Sequence, residues 1–233
     1  RFGDYASPQY GTIKSSENYE RRFIMTFPNE TLPKGRKQKT TALYDRFVNQ
    51  GAVMGDSFGL ENVLWFANNK EDAHEEPTIK RSRSHDYVSK EVINVRENVG
   101  LIEVANFSKH EFKGPDARKF LDHIMAGRLP KPGRISLSPM LSYRGKLCGD
   151  LTVACLDENE FMVFGSGAAQ EMHRRWFESH LDKFNLSYSN RSDEYHGLSI
   201  AGPNSRKVLE KIVRDDVSNE KFKFRDSRRM FVG

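Results

Sequence analysis

The chain has 233 residues, 37% hydrophobic, 30% charged and 11% aromatic, with a net charge of +5. That composition excludes a disordered or fibrous chain and describes a globular protein with a wet surface, long enough for one large domain or one domain plus part of another. No apolar run approaches a membrane span, and no secretory signal follows Arg1, so the chain reads as a piece of something longer. The positive charge gathers in KGRK at Lys34–Lys37, KRSR at Lys80–Arg83 and KFKFRDSRR at Lys221–Arg229. With 32 acidic residues interspersed and no nucleic-acid motif alongside, a solvated face is favoured over a polyanion site. Cys148 and Cys155 show no CxxC redox or zinc pattern and fall on opposite faces of one expected strand, which indicates free thiols and a reducing compartment.

From Arg1 to about Asn69 the pattern is irregular, rich in Gly, Pro, Asn and aromatic residues. One short helix is expected over Thr41–Gln50, ahead of GAVMGDSFGLENVLWFANN. Residues 70–89 are polar and charged, as in a linker, which places a boundary between about Asn69 and Lys90. Regular helix and strand periodicity begins after Lys90.

A weak internal repeat follows: GPDARKFLDHI from Gly114 is echoed by GPNSRKVLEKI from Gly202. Each opens where a strand-like run ends, FSKHEFK and YHGLSIA. Ala117, Phe120, Leu121, Ile124 and Met125 share one face of the first helix, and Val208, Leu209, Ile212 and Val213 are the expected stripe of the second. Two strand–Gly-Pro–helix units predict an α+β domain. Between them, Lys146–Leu156 and Phe161–Phe164 read as a hairpin around DENE, and a helix is expected over Ala168–Phe184 with Met172, Trp176, Leu181 and Phe184 inward.

Within that hairpin, RGKLCGDLTVAC places a carboxylate, Asp150, in a run that otherwise reads as a buried strand. Alternation sets Leu151, Val153 and Cys155 on one face, and Asp150 on the other, which is mixed and partly apolar. Two readings stand: Asp150 bonds a backbone amide or caps a turn, or it serves as a general base or ligand anchor. The arm that returns from the turn ends at Phe164, Gly165 and Ser166, so these residues are expected near Asp150. GSGAAQ opens a helix and could present N–H groups to a ligand or be a plain strand-to-helix turn; it is not GxGxxG. No HExxH or HxH spacing occurs among the seven histidines, so no metal is expected. Trp65 and Trp176 read as core anchors.

The order LYDRFVNQGAVMGDSFGLENVLWFA, VGLIEVANFSKHEFKGPDARKFLDHIMAG, MLSYRGKLCGDLTVAC, EFMVFGSG and AGPNSRKVLEKI resembles the middle of the dimethylglycine and sarcosine dehydrogenase family, most densely from Val99 to Val213. Those proteins join an FAD-dependent amine oxidoreductase to a folate-binding domain similar to the glycine cleavage T-protein, an aminomethyltransferase. The resemblance implies an α+β fold containing part of a T-protein-like folate-binding domain over 90–233, preceded by the tail of the FAD domain and its connector over 1–69. It implies an N-methylamine substrate, tetrahydrofolate as acceptor, FAD bound upstream, Asp150 as the carboxylate beside the reactive folate nitrogens, and Phe164, Gly165 and Ser166 as cofactor contacts.

Partial desolvation of Asp150 in the wall of a pterin pocket would then tune its basicity. Leu137 stands where the T-protein pattern has a Tyr, and Gly165 where it has an Asn. The later Gly-Glu segment that completes the family's folate site lies beyond MFVG, so the piece alone is expected to bind folate weakly and to be inactive. A cytoplasmic setting is expected, or the mitochondrial matrix in a eukaryote. The alternatives are a flavin-independent folate-dependent methyltransferase or demethylase of the same fold, and a non-catalytic folate-fold binding module; nucleic acid is a weak fourth possibility.

Overall fold

The computed structural model describes residues 7–28 and 30–233; the first six residues of the stretch expected to be irregular, and Asn29, lie outside the described residues. Two compact units divide between Gly100 and Leu101.

The first unit opens on helix α1 (Pro8–Glu20), in a stretch whose sequence showed no amphipathic pattern. Polar tethers rather than an apolar stripe hold it. Ser7 Oγ accepts from the Tyr10 amide at the N-cap, Pro8 starts the first turn, and the buried Glu17 carboxylate accepts from the Lys34 amide at 2.7 Å and from Lys14 Nζ at 2.9 Å. Burial pushes the Glu17 carboxyl up, but these two donors outweigh it and leave its pKa below the ordinary value. Helix α2 (Tyr44–Asn49) falls inside the expected 41–50 segment. Strands β1 (Ala52–Ser57) and β2 (Leu60–Phe66) form a hairpin whose two turn residues, Phe58 and Gly59, both have positive φ, the twist that tight hairpins prefer.

Residues 70–89, expected as a linker, instead lie against this hairpin. Glu75 accepts from Trp65 Nε1 at 2.5 Å, and Asp72 takes hydrogen bonds from Tyr87 Oη and Arg83. The Tyr87 ring packs on Trp65 at 4.9 Å. Helix α3 (Ser84–Glu97) therefore begins within the expected linker. Most charged side chains of residues 70–89 are exposed, but Asp72, Glu75 and Arg83 are half-buried, Asp72 pairing with Arg83 and Glu75 with the indole.

In the second unit, β3 (Gly100–Glu103) pairs with β9 (Leu198–Ala201) as a small separate sheet. The main sheet is antiparallel and comprises β4 (Phe107–Lys113), β5 (Arg134–Leu141), β6 (Leu147–Asp157), β7 (Glu160–Ser166) and β8 (Ser187–Asn190), in the order β5-β6-β7-β4-β8. Against one face packs α4 (Ala117–Ile124), which buries Ala117, Phe120, Leu121 and Ile124 as its periodicity predicts; Met125 is buried just beyond it. Phe112, Leu151, Val153, Phe161 and Val163 supply the sheet's side of that core.

The repeat is real in the backbone. Gly114 and Gly202 both have positive φ, +133° and +117°, and the caps Asp116 and Asn204 share φ near −98° and ψ of 6°. Arg118 and Arg206, at equivalent positions, each donate to carbonyls of the following segment, Pro130 and Val217 respectively. The second helix departs from expectation: α6 (Ser205–Leu209) is short, and of its stripe Ile212 is exposed while Val208, Leu209 and Val213 are half-buried. At Gly114 an added Cβ would stand 2.8 Å from Leu186 Cα and 3.0 Å from Asn185 O, backbone that cannot easily yield. Gly114→Ala is therefore expected to lower the unit's unfolding free energy by about 2 kcal/mol, read from the urea midpoint at unchanged m-value.

The expected helix over Ala168–Phe184 is divided. A 3-10 turn at Gly167–Ala169 leads into α5 (Gln170–Glu178), and a second 3-10 turn at Leu181–Lys183 follows. Its buried face is His173 and Phe177, one residue on from the predicted Met172, which is 53% exposed. Trp176, Leu181 and Phe184 do pack against the core, partly buried.

Candidate functional site

Strand pairing places Asp150, Phe164 and Ser166 in two adjacent cross-strand rows on the sheet face turned away from the α4 core. Leu137, Thr152, Phe164 and Lys109 stand opposite one another on β5, β6, β7 and β4. In the next row Pro139 is opposite Asp150, and Phe107 is opposite Ser166. Since partners directly across a ladder share a face and residues two apart do so too, Asp150, Phe164 and Ser166 look out from one surface.

That surface is wetter than expected. Asp150 is exposed, and among the described residues its carboxylate has no hydrogen-bond or ion-pair partner. Neither the partly dry cleft nor the backbone-bonded alternative holds in this chain. Around it stand apolar side chains that are themselves uncovered: Leu137 is 61% and Phe107 48% exposed, with Pro139 and Phe164 half-buried. Lys109, by contrast, is folded down, its Nζ donating to the Ala105 and Phe107 carbonyls. The result is an acceptor-only group set among apolar surface, which suits a flat polar heterocycle: hydrophobic faces for the ring, a carboxylate for a ring N–H.

Gly165 is not part of this surface. It faces the core, where an added Cβ would lie 2.9 Å from His173 Nδ1 and 2.6 Å from Leu151 Cδ2. Gly149, beside Asp150, faces the same way, its Cβ position 2.8 Å from His173 Nε2. The His173 ring thus lies beneath both strands, 2% exposed. Sequence reasoning weighed the histidines only for metal-ligand spacing and so missed His173; two glycines on the core side of a hairpin were the available signal.

Beyond His173, the His110 ring lies 6.3 Å away, and its Nδ1 is 2.9 Å from Tyr188 Oη. Burial, with a smaller push from His173, lowers the His110 pKa to about 3, and burial likewise lowers that of His173, opposed by the Cys148 backbone. Burial raises the Tyr188 phenol above its ordinary value. All three groups are neutral at neutral pH.

A hollow of about 600 Å³ opens beside the start of α4, lined among others by Asp116, Arg118, Arg128 and Glu158; neither Asp150, Phe164 nor Ser166 borders it. Among the described residues no group of three or more His, Cys, Asp or Glu side chains could hold a metal ion, and no helix is long and apolar enough to cross a membrane.

A five-stranded antiparallel sheet with one Gly-Pro-helix unit ahead of its β6–β7 hairpin in the chain and another after it is a T-protein-like fold. The GCVT N-terminal domain matches residues 43–233, and the chain belongs to that family. It is 32% identical over 236 residues to the mitochondrial dimethylglycine dehydrogenase of Homo sapiens, covering 100% of this chain and 27% of that protein. To an aminomethyltransferase of Staphylococcus epidermidis it is 28% identical over 196 residues, 83% of this chain and 49% of the relative. The crystal structure of the glycine cleavage system aminomethyltransferase T from Bartonella henselae shares the fold, with a TM-score of 0.67 at 21% identity over 82% of this chain and 47% of that one. The chain thus spans about a quarter of the dehydrogenase and about half of the aminomethyltransferases it matches.

Proposed function

We propose that this chain is part of the acceptor side of a tetrahydrofolate-linked N-methylamine dehydrogenase of the dimethylglycine/sarcosine type. The observation that carries this reading is the uncovered Asp150 carboxylate among Leu137, Pro139, Phe164 and Phe107. Flavin is assigned to the dehydrogenase part outside this chain, where it would supply the two-electron oxidation of the amine. Residues 1–69 are assigned to the tail of that oxidising part and its connector, of which 43–69 also fall within the family match.

On the acceptor side, the one-carbon unit exchanges its bond to the amine nitrogen for bonds to two folate nitrogens. Of the two N–H protons given up, one leaves with the amine and the other needs an acceptor. Asp150 takes it, and before that holds the N–H by hydrogen bonding so that the nitrogen lone pair faces the incoming carbon. Leu137 and Phe164 provide apolar surface for the pterin, and Ser166 a hydroxyl at its margin. The mitochondrial matrix is the compartment this reading favours, since the dimethylglycine dehydrogenase relative is mitochondrial.

The test is Asp150→Asn in the enzyme that carries this chain, reading methylenetetrahydrofolate formed per amine oxidised. A fall of about 100-fold is expected, within the usual range for a general base. An exposed, unpaired side chain contributes little to folding, so the melting temperature should hold within a degree or two of its original value, as for other surface changes. Unchanged folate product would overturn the reading in favour of a binding module. Folate-dependent transfer without any flavin would favour the flavin-independent methyltransferase.

A further inference from the structure

The second unit buries an imidazole that the proposed chemistry does not use, and it lies directly behind the residues that do. His173 is 2% exposed, and neither ring nitrogen has a hydrogen-bond partner of normal geometry. An apolar side chain would fill the same space without burying two ring nitrogens whose polar neighbour is a poorly placed Cys148 backbone group, so packing alone is a poor account of it. What distinguishes its surroundings is the pair of glycines. The ring edge at Nε2 closes on Gly149 and the edge at Nδ1 on Gly165, each so near that even a methyl group would collide. Gly149 precedes Asp150, and Gly165 lies between Phe164 and Ser166. A rigid planar group therefore touches the main chain of both strands immediately behind the candidate site.

We infer that His173 is a positioning residue: its ring, wedged beneath Gly149 and Gly165, sets how the Asp150 backbone stands relative to that of Phe164 and Ser166, and so the aim of the carboxylate. This rests on the folate reading of Asp150. The aromatic packing behind the ring keeps the wedge in place, with His110 at 6.3 Å and Phe177 at 6.4 Å between ring centres. Because burial holds the imidazole neutral, it brings no cation beneath the carboxylate, and its influence is one of shape. Displacements well under the size of an atom are enough to matter for a group that must meet a particular proton.

The experiment uses the enzyme that carries this chain and reads the partition of the one-carbon unit between methylenetetrahydrofolate and free formaldehyde. His173→Ala is expected to lower that partition about tenfold at saturating tetrahydrofolate, a loss in kcat for transfer rather than in KM. Gly149→Ala should do the same by forcing the ring away. The double variant Gly149→Ala/His173→Ala, in which the new methyl group enters the vacated space, should recover most of the loss. A purely structural role predicts a lower melting temperature with the partition unchanged, and that result would overturn the inference. Should His173→Ala fail to fold, His173→Gln is read in the same way. Asp150→Asn separates the two failures: a loss there with none in the His173 variants removes the positioning role alone, and no loss in either removes the folate reading with it.

Discussion

Between pH 6.5 and 3 the second unit should lose on the order of 5 kcal/mol of stability through His110 alone. The unfolded chain binds a proton at this residue near pH 6.5, whereas the folded chain resists until about pH 3, because the ring is wholly buried beside His173, Phe177 and Tyr188. Over that window the unfolded state holds more protons, so stability is full above pH 6.5 and falls as pH drops, with no further loss below about pH 3. His173 adds in the same direction. The carboxyl of Glu160, held below its ordinary value by Arg229 and Lys113, also favours unfolding in acid, so the comparison must isolate the histidine. Urea unfolding at several pH values should show a steep pH dependence in the parent and a shallower one in His110→Phe. That variant will be weaker at pH 7, since Tyr188 Oη loses the His110 ring nitrogen. Equal slopes in the two proteins would remove His110 as the cause.

Phe112→Ala is expected to lower the unfolding free energy of the same unit by about 4 kcal/mol. Phe112 is fully buried on β4, with Phe120 at 5.4 Å, Phe177 at 5.1 Å and Tyr188 at 5.0 Å between ring centres. Those rings come from α4, α5 and β8, so the phenyl group joins three elements to the sheet, and its loss leaves a cavity that none of them can fill alone. Phe112→Leu should recover more than half of the difference. Denaturant unfolding followed by tryptophan fluorescence checks both; a change under 1 kcal/mol for the alanine variant would mean that the cluster collapses onto the space.

The hairpin of β6 and β7 and the buried face of α4 were legible because each has a single strong period. Leu151, Val153 and Cys155 alternate, and Phe120, Leu121 and Ile124 recur at helical spacing, so few other assignments would bury them. The repeated Gly-Pro-helix entrance was legible for a similar reason, since Gly114 and Gly202 mark a backbone turn that other residues resist. Where the pattern was weak, the reading failed. The buried Glu17 of helix α1 is held by the Lys34 amide, and within residues 70–89 Asp72 and Glu75 hold Arg83 and Trp65, polar contacts between residues distant enough in the chain that periodicity cannot register them.

By itself, the order of residues determined the family, the α+β class and the choice of Asp150, because kinship and alternation are properties of a one-dimensional string. Only the tertiary structure decided that Asp150 stands uncovered, that Gly165 turns away from it, and that His173 rather than Met172 lies inward. Each of those depends on which surface of one element meets another across the sheet, a relation fixed by packing in three dimensions rather than by the spacing of residues along the chain.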